Sequence, residues 1–192
     1  MQYILASASP RRKELLKELV YNFEVIPSQA DENVKKWFPS MLVLTLAQRK
    51  ASEVALRPEN EGKIVIGSDT VVALRGKVLG KPKDEADAFR MLKALSGKKH
   101  AVYTGVCLAY QKEGRYRYIA KTEKTLVYFN KLSDEWIKTY IASGSPMDKA
   151  GAYGIQDGGL VKKIKGSYTN VVGLPVELLG KMLKQAEKEW ND

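Results

Sequence analysis

The sequence predicts an α/β chain, and three observations carry that expectation. Segments of strand-like patterning alternate with segments of helical spacing along most of the chain. An almost continuous apolar run at 63–74 has the character of a strand buried on both faces. Two long alternating segments, 100–110 and 116–130, flank Glu113-Gly114 and should pair as a hairpin. With 192 residues, 44% of them hydrophobic and 28% charged, the chain can bury one full core or form two small lobes sharing one cleft.

Ile4 and Leu5 end a short apolar run. Ser9 then stands where an N-cap belongs, and Pro10 stands at the first helical position, where its missing N–H costs nothing. Leu15, Leu16 and Leu19 continue at helical spacing. Arg11 and Arg12 fall in the first turn, at the positive end of the helix dipole, where two cations are unfavourable without an anion. Small serines, free N–H groups and two guanidinium forks make this stretch a candidate phosphate site. An ordinary capped helix with solvated arginines has the same pattern. Residues 21–27 alternate like a strand and lead into a polar loop, 28–33. Its Asp31 and Glu32 stand just beyond a strand end, where functional groups often sit; a turn with solvated carboxylates is the alternative. Residues 40–56 read as a helix with Leu42, Leu46 and Ala47 on one face, Arg49 and Lys50 a turn further on, and breaker residues at 57–62.

Asp69 interrupts the apolar run at 63–74. A carboxylate in such a place must be paired, hydrogen-bonded or bound to metal. It is either a satisfied turn carboxylate or a functional one. Arg75-Gly76-Lys77 reverses the chain into Val78 and Leu79, and Gly80-Lys81-Pro82 ends that short strand with another cation. Asp84 caps a helix over 84–96, with Phe89, Leu92 and Leu95 inward and Gly97 at the stop. The hairpin aromatics Tyr103, Tyr110, Tyr116, Tyr118, Tyr128 and Phe129 suit base stacking or cross-strand packing. Ser133 caps a helix through Ser143, stopped at Gly144. Residues 148–159, with Lys149 and Gln156, form a glycine-rich polar loop whose backbone can approach a ligand closely. It matches neither a Walker loop nor a dinucleotide fingerprint. A short strand at 160–164 follows, and Pro175 opens an amphipathic helix running to about Trp190.

Lys plus Arg is 32 and Asp plus Glu is 22, a formal charge of +10. That balance favours acidic partners such as nucleotides, nucleic acid or a membrane surface; a solvated, soluble surface is the other reading. The single cysteine, Cys107, excludes an intrachain disulfide framework, and the single histidine, His100, excludes a multi-histidine metal site. Both agree with a reduced, intracellular location. No secretory signal is expected, and no apolar run approaches the roughly 18 residues of a membrane span.

Arg11, Arg12, Glu32, Lys50, Asp69, Lys81 and Lys149 form a set of polar residues placed after strands or in loops. Carboxylates to hold a divalent ion and cations to hold phosphate oxygens are what phosphoanhydride hydrolysis needs. In order along the chain, residues 7–16, Gly67-Ser68-Asp69-Thr70-Val71-Val72, Gly80-Lys81-Pro82, Leu95-Ser96-Gly97, residues 148–156 and Val172-Gly173-Leu174-Pro175 resemble the motifs of the Maf family of nucleoside triphosphate pyrophosphatases. The resemblance spans essentially the whole chain and implies a single domain over 1–192. It implies a mixed, elongated central sheet with flanking helices, forming two lobes around a cleft, similar to the inosine triphosphate pyrophosphatases.

The activity it implies is cleavage between the α and β phosphates, giving a nucleoside monophosphate and pyrophosphate. The implied cofactor is a divalent cation, Mg²⁺ with Mn²⁺ or Co²⁺ as alternatives, held by Glu32 and Asp69. Asp69 would be the acceptor that activates water, with Glu32 sharing the metal or the water. Arg12, Lys50 and Lys81 would hold the triphosphate, with Ser9 beside it. Arg11, Thr70 and Gln156 match positions that separate the family's branches: the branch favouring dTTP and UTP has Arg, Thr and Gln there, and the branch favouring 7-methyl-GTP has Trp, Gln and Glu. The loop after Gln156 is about two residues shorter than the usual pattern. The expected partner is the nucleoside triphosphate, in the cytoplasm, with a homodimer as an open option and neither membrane nor stable nucleic-acid partner. Two rival readings remain: an inosine or xanthosine triphosphate pyrophosphatase of the related fold, and a non-enzymatic nucleic-acid or septum-associated binding protein, which would show steep salt dependence.

Overall fold

The computed structural model describes residues 1–34 and 38–191. Seven strands form one mixed sheet: β1 (Gln2–Leu5), β2 (Glu24–Val25), β3 (Lys63–Leu74), β4 (Lys77–Leu79), β5 (Lys99–Lys112), β6 (Arg115–Phe129) and β7 (Val161–Lys165), in the order β2-β1-β3-β5-β6-β7 with β4 on β3. β1 runs parallel to β2 and β3, and the other pairings are antiparallel. Around the sheet lie α1 (Pro10–Leu16), α2 (Pro39–Ala55), α3 (Glu85–Leu95), α4 (Asp134–Ala142), α5 (Tyr168–Val172) and α6 (Val176–Asn191). Among the described residues no helix is long and apolar enough to cross a membrane.

Local signals account for most element ends. Ser9, Asp84 and Ser133 each accept a hydrogen bond from the backbone N–H three residues on, as the N-cap expectation requires. Glu113 and Gly114 take φ of 52° and 71° at the hairpin tip, the left-handed turn that joins two strands tightly. Two expectations need correction, and one element was not foreseen. The strand over 21–27 shrinks to Glu24–Val25, paired with Ile4 and Leu5 of β1, and Ile26 N–H adds one more bond to the Leu5 carbonyl at 3.1 Å. The helix predicted over 40–56 starts one residue earlier at Pro39, after Phe38, which supplies no side-chain cap. Residues 168–172 form a short helix, α5, capped by the Ser167 side chain on Asn170 N–H.

Two cores lie side by side along one face of the sheet, and a third, with Ile4, Val65 and Cys107 against Ala47, Ala51 and Val54 of α2, lies on the other. β3 enters one of the paired cores through Ile64 and Ile66, packed with Leu16 of α1 and Leu179, Met182 and Leu183 of α6. It enters the other through Val72, packed with Leu92 and Leu95 of α3, Ile137 of α4 and Phe129 of β6. β5 does the same through Val106 and Leu108 on one side and Val102 on the other. Asp69, Thr70, Thr104 and Gly105 occupy the middle of these two strands, between the cores, and there the polar chemistry collects.

α2 crosses the sheet at this midpoint and approaches it unusually closely. A Cβ on Gly67 would stand 2.2 Å from the Ala47 carbonyl oxygen, and one on Gly105 would stand 2.3 Å from that of Val43. Glycine is therefore required at both positions, and Val43, Ala47 and Ala51 supply the small, buried helix face that fits them. Asp69 pairs in register with Gly105 and shares a strand face with Gly67. The helix backbone thus descends directly beside Asp69.

His100 is buried in the second core, with Nε2 2.8 Å from the Tyr153 hydroxyl and the ring edge-on to Phe129. Its Nδ1 is buried without a partner. Burial pulls the imidazole down to about 4, so folding favours the neutral ring. The unfolded chain takes up this proton first, and stability falls as pH drops from the ordinary histidine value near 6.5 toward 4. The full contribution is about 3 kcal/mol. Urea unfolding of the parent and of His100→Gln at pH 7, 5.5 and 4.5 should show the parent losing ground to the variant as pH falls; a pH-independent difference would contradict a neutral buried imidazole.

Candidate active site

Secondary structure delivers the candidate residues to one cleft of about 790 Å³. The turn before α1 and its first turn bring Ser9, Arg11 and Arg12; the loop after β2 brings Glu32; α2 brings Lys50; β3 brings Asp69 and Thr70; the segment after β4 brings Lys81; the glycine-rich loop brings Asp148, Lys149 and Gln156. Every residue that the sequence singled out for the site lines this cleft. The glycine-rich loop is tied to the Lys81 segment by the Gly151 N–H, which donates to the Gly80 carbonyl at 2.9 Å. Gly151 takes φ of 68° and its Cα rests on Val72, so a side chain there would collide with β3.

At the floor, Lys50 Nζ donates to Asp69 Oδ1 at 2.7 Å and lies 2.8 Å from Glu32 Oε1. The Lys50 and Asp69 side chains are only 12% and 13% exposed, whereas Glu32 is 65% exposed, so Glu32 is the partner most easily withdrawn. Its hydrogen bond to Lys50 holds the Glu32 carboxyl below the usual carboxylate range, aided by the charges of Lys81 and Arg12 against the effect of burial. Two carboxylate oxygens from distant segments therefore converge on one cation. Among the described residues no third acidic, histidine or cysteine side chain completes an all-protein metal cage. Such a pair fits a hard divalent cation that takes one or two carboxylates and fills its shell with water and phosphate oxygens, the habit of Mg²⁺.

Arg12 is held differently. Its Nε donates to the Gly173 carbonyl at 2.9 Å, and its two terminal nitrogens donate to Ser7 Oγ at 3.1 Å and Thr70 Oγ1 at 3.2 Å. All three acceptors are neutral. Burial lowers the guanidinium from its ordinary value while Asp69 pulls the other way, and arginine remains charged through such shifts. Arg11 reaches across the cleft to Asp148, Nη1 to Oδ2 at 3.0 Å, and the other oxygen of Asp148 accepts from Lys149 Nζ at 2.8 Å. Those two cations hold the Asp148 carboxyl low against the effect of burial. Gln156 stands exposed on a 3₁₀ turn, Ile155–Asp157.

Ser7, one of the serines of the candidate phosphate stretch, lines the cleft; Asp148, Gly173 and Thr104 also belong to its wall or support, and none of these three was assigned a role at the site from residue type. Thr104, a polar residue in an apolar strand, carries only a weak signal, and Gly173, followed by Leu174 and Pro175, contributes a backbone carbonyl that residue type does not reveal.

A profile of the Maf-like protein family matches residues 2–186. The dTTP/UTP pyrophosphatase of Carboxydothermus hydrogenoformans is 51% identical over 193 residues, covering 100% of both chains. The protein of the same name from Thermoanaerobacter sp. strain X514 is 48% identical over 187 residues, 96% of each chain. Among solved structures, the Ham1 protein of Staphylococcus aureus matches with a TM-score of 0.53 over 97% of this chain and 100% of its own; at 15% identity that likeness is one of fold. With matches of this length and identity, the chain belongs to the Maf family.

Proposed function

We propose that this chain, acting as one domain over 1–192, hydrolyses nucleoside triphosphates between the α and β phosphates, with dTTP and UTP preferred. The observation that carries the reading is the convergence of Glu32 and Asp69 on Lys50 in a cleft whose walls also bear Arg11, Arg12, Lys81 and Lys149. The names of its relatives support the choice of substrate.

In this reading Glu32 and Asp69 hold a divalent cation. When bound, that cation supplies charge neutralisation for the phosphate oxygens. Asp69 accepts the proton of the attacking water, and its burial beside Lys50 keeps its carboxylate in one orientation. Lys50 meanwhile keeps a positive charge at the cleft floor, and Glu32, the exposed partner, leaves it readily. Arg12 and Lys81 grip the triphosphate, with Ser9 beside them. Arg11 and Gln156 take the pyrimidine: arginine donates to a carbonyl, and glutamine both donates and accepts. Asp148 holds Arg11 in the free protein and must share it with the base.

The test is product analysis and kcat/KM with dTTP, UTP, CTP, GTP, ITP and 7-methyl-GTP in the presence of Mg²⁺. The expected products from dTTP are dTMP and pyrophosphate, with dTTP and UTP ahead of the purines by about tenfold or more. Release of dTDP and orthophosphate would overturn the assigned bond. Equal efficiency across bases would overturn the pyrimidine preference.

A further inference from the structure

Behind the cleft wall a chain of hydroxyl groups crosses the middle of the sheet. Thr70 Oγ1 lies 3.0 Å from Thr104 Oγ1, and Thr104 Oγ1 lies 3.0 Å from the Asn170 carbonyl of α5. Thr104 and Asn170 are fully buried. A threonine hydroxyl has one hydrogen to donate. The Asn170 carbonyl can only accept, so Thr104 gives its hydrogen there. The Thr70–Thr104 contact is then a hydrogen bond only if Thr70 is the donor. Thr70 in turn accepts from the Arg12 guanidinium. The alternative acceptor for Thr70, the Gly173 carbonyl, is more distant at 3.4 Å. Every donor therefore points the same way, from Arg12 through Thr70 and Thr104 to α5.

The same short helix supplies the other anchor of the guanidinium. Gly173 follows α5, and its carbonyl receives Arg12 Nε. Arg12 has five N–H groups in one rigid plane. Three are committed to neutral oxygens of Ser7, Thr70 and Gly173. The direction of the remaining two is then set by those anchors.

We propose that Thr104, which does not line the cleft, is a positioning residue for the phosphate grip of Arg12, acting through the Thr70 hydroxyl. This rests on the proposed role of Arg12 in holding phosphate. It also gives Thr70 a defined part. With its one hydrogen engaged by Thr104 and one lone pair by Arg12, Thr70 orients the guanidinium and has no hydrogen left for a pyrimidine carbonyl. Loss of the Thr104 hydroxyl frees the Thr70 hydrogen to turn to the Gly173 carbonyl, where it competes with Arg12 Nε. The Gly173 carbonyl already accepts from Ser68 Oγ at 3.3 Å as well as from Arg12, so a third donor crowds it, and the Thr70 and Gly173 anchors of the guanidinium are no longer held in their present geometry.

The experiment measures binding of inorganic tripolyphosphate by calorimetry without divalent cation, and KM and kcat for dTTP with Mg²⁺. Thr104→Val keeps the side-chain shape and should weaken tripolyphosphate about five- to twentyfold, with a matching rise in KM for dTTP. Thr104→Ser keeps the hydroxyl and should stay within about twofold of the parent. Thr125→Val opens the same buried network beyond the Asn170 carbonyl, where Thr125 accepts from the Asn170 side chain; it should lower the unfolding midpoint without weakening tripolyphosphate. Unchanged affinity in Thr104→Val overturns the proposal. So does an equal loss in Thr104→Ser or Thr125→Val, which would mark a packing effect, or a loss seen with dTTP and not with tripolyphosphate, which would move the effect to the base. Arg12→Ala separates the two levels: if it binds tripolyphosphate as the parent does, the phosphate role of Arg12 fails and the relay with it.

Discussion

Asp69→Asn should lower turnover of dTTP by about 10²–10⁴-fold, the usual contribution of a general base. Asparagine retains the size of the side chain and an oxygen able to accept from Lys50, now 2.7 Å away. What it loses is the negative charge and the site for a proton. Removing one partner of a buried ion pair commonly costs about 3–5 kcal/mol. Here Glu32 still faces Lys50 at 2.8 Å, so the loss of stability should fall well below that range and leave a folded protein. Single-turnover hydrolysis and urea unfolding on the same preparation distinguish the two effects. A variant that turns over within a few-fold of the parent would remove Asp69 from the chemistry; a variant that is inactive because it is unfolded would be evident from its unfolding curve.

Gly105→Ala should cost about 3 kcal/mol or more of stability, at the upper end of what overpacking produces, and should depress hydrolysis in the molecules that remain folded. The added Cβ would meet the Val43 carbonyl oxygen at 2.3 Å and its carbon at 2.5 Å. Neither belongs to a flexible side chain, so relief requires α2 to lift from the sheet. Lys50 rides on that helix and Asp69 is the register partner of Gly105, so the lift opens the Lys50–Asp69 contact directly. Gly180→Ala serves as the comparison. It lies within α6, where the nearest atom to an added Cβ is Leu19 Cδ2 at 3.4 Å, and alanine there should be neutral or stabilising by about 0.5–1 kcal/mol. If the two alanine variants unfold at similar urea concentrations, the close approach of α2 does not control this site.

The elements whose signals are local were legible in the amino-acid order. α3 announces itself by Asp84 at one end and Gly97 beyond the other, and the β5–β6 hairpin by alternation around Glu113-Gly114. The run at 63–74 is a strand buried on both faces, as its apolar content requires. Asp69 stood out because a carboxylate in such a run needs a partner, and Arg11 and Arg12 stood out because two cations at a helix start need an anion. Residue type alone makes these arguments, since periodicity, capping and the cost of burying charge depend on near neighbours.

The tertiary structure decided everything that joins distant segments. The pairing of Asp69 with Gly105 is a register between β3 and β5, and no short-range pattern encodes it. The depth of α2 depends on glycines from two strands meeting alanine and valine from one helix. β2 meets β1 only at Ile4 and Leu5, two of that strand's four residues, an extent set by where the two segments lie in the fold. Arg11 and Asp148 are far apart in the chain and 3.0 Å apart in the fold. Thr104 and Asn170 read as unremarkable polar residues until the sheet sets one behind Thr70 and the other behind Thr104. Sequence thus determined which residues carry charge, caps and turns; only the fold determined which of them share a hydrogen bond, because that depends on where segments far apart in the chain come to rest against one another.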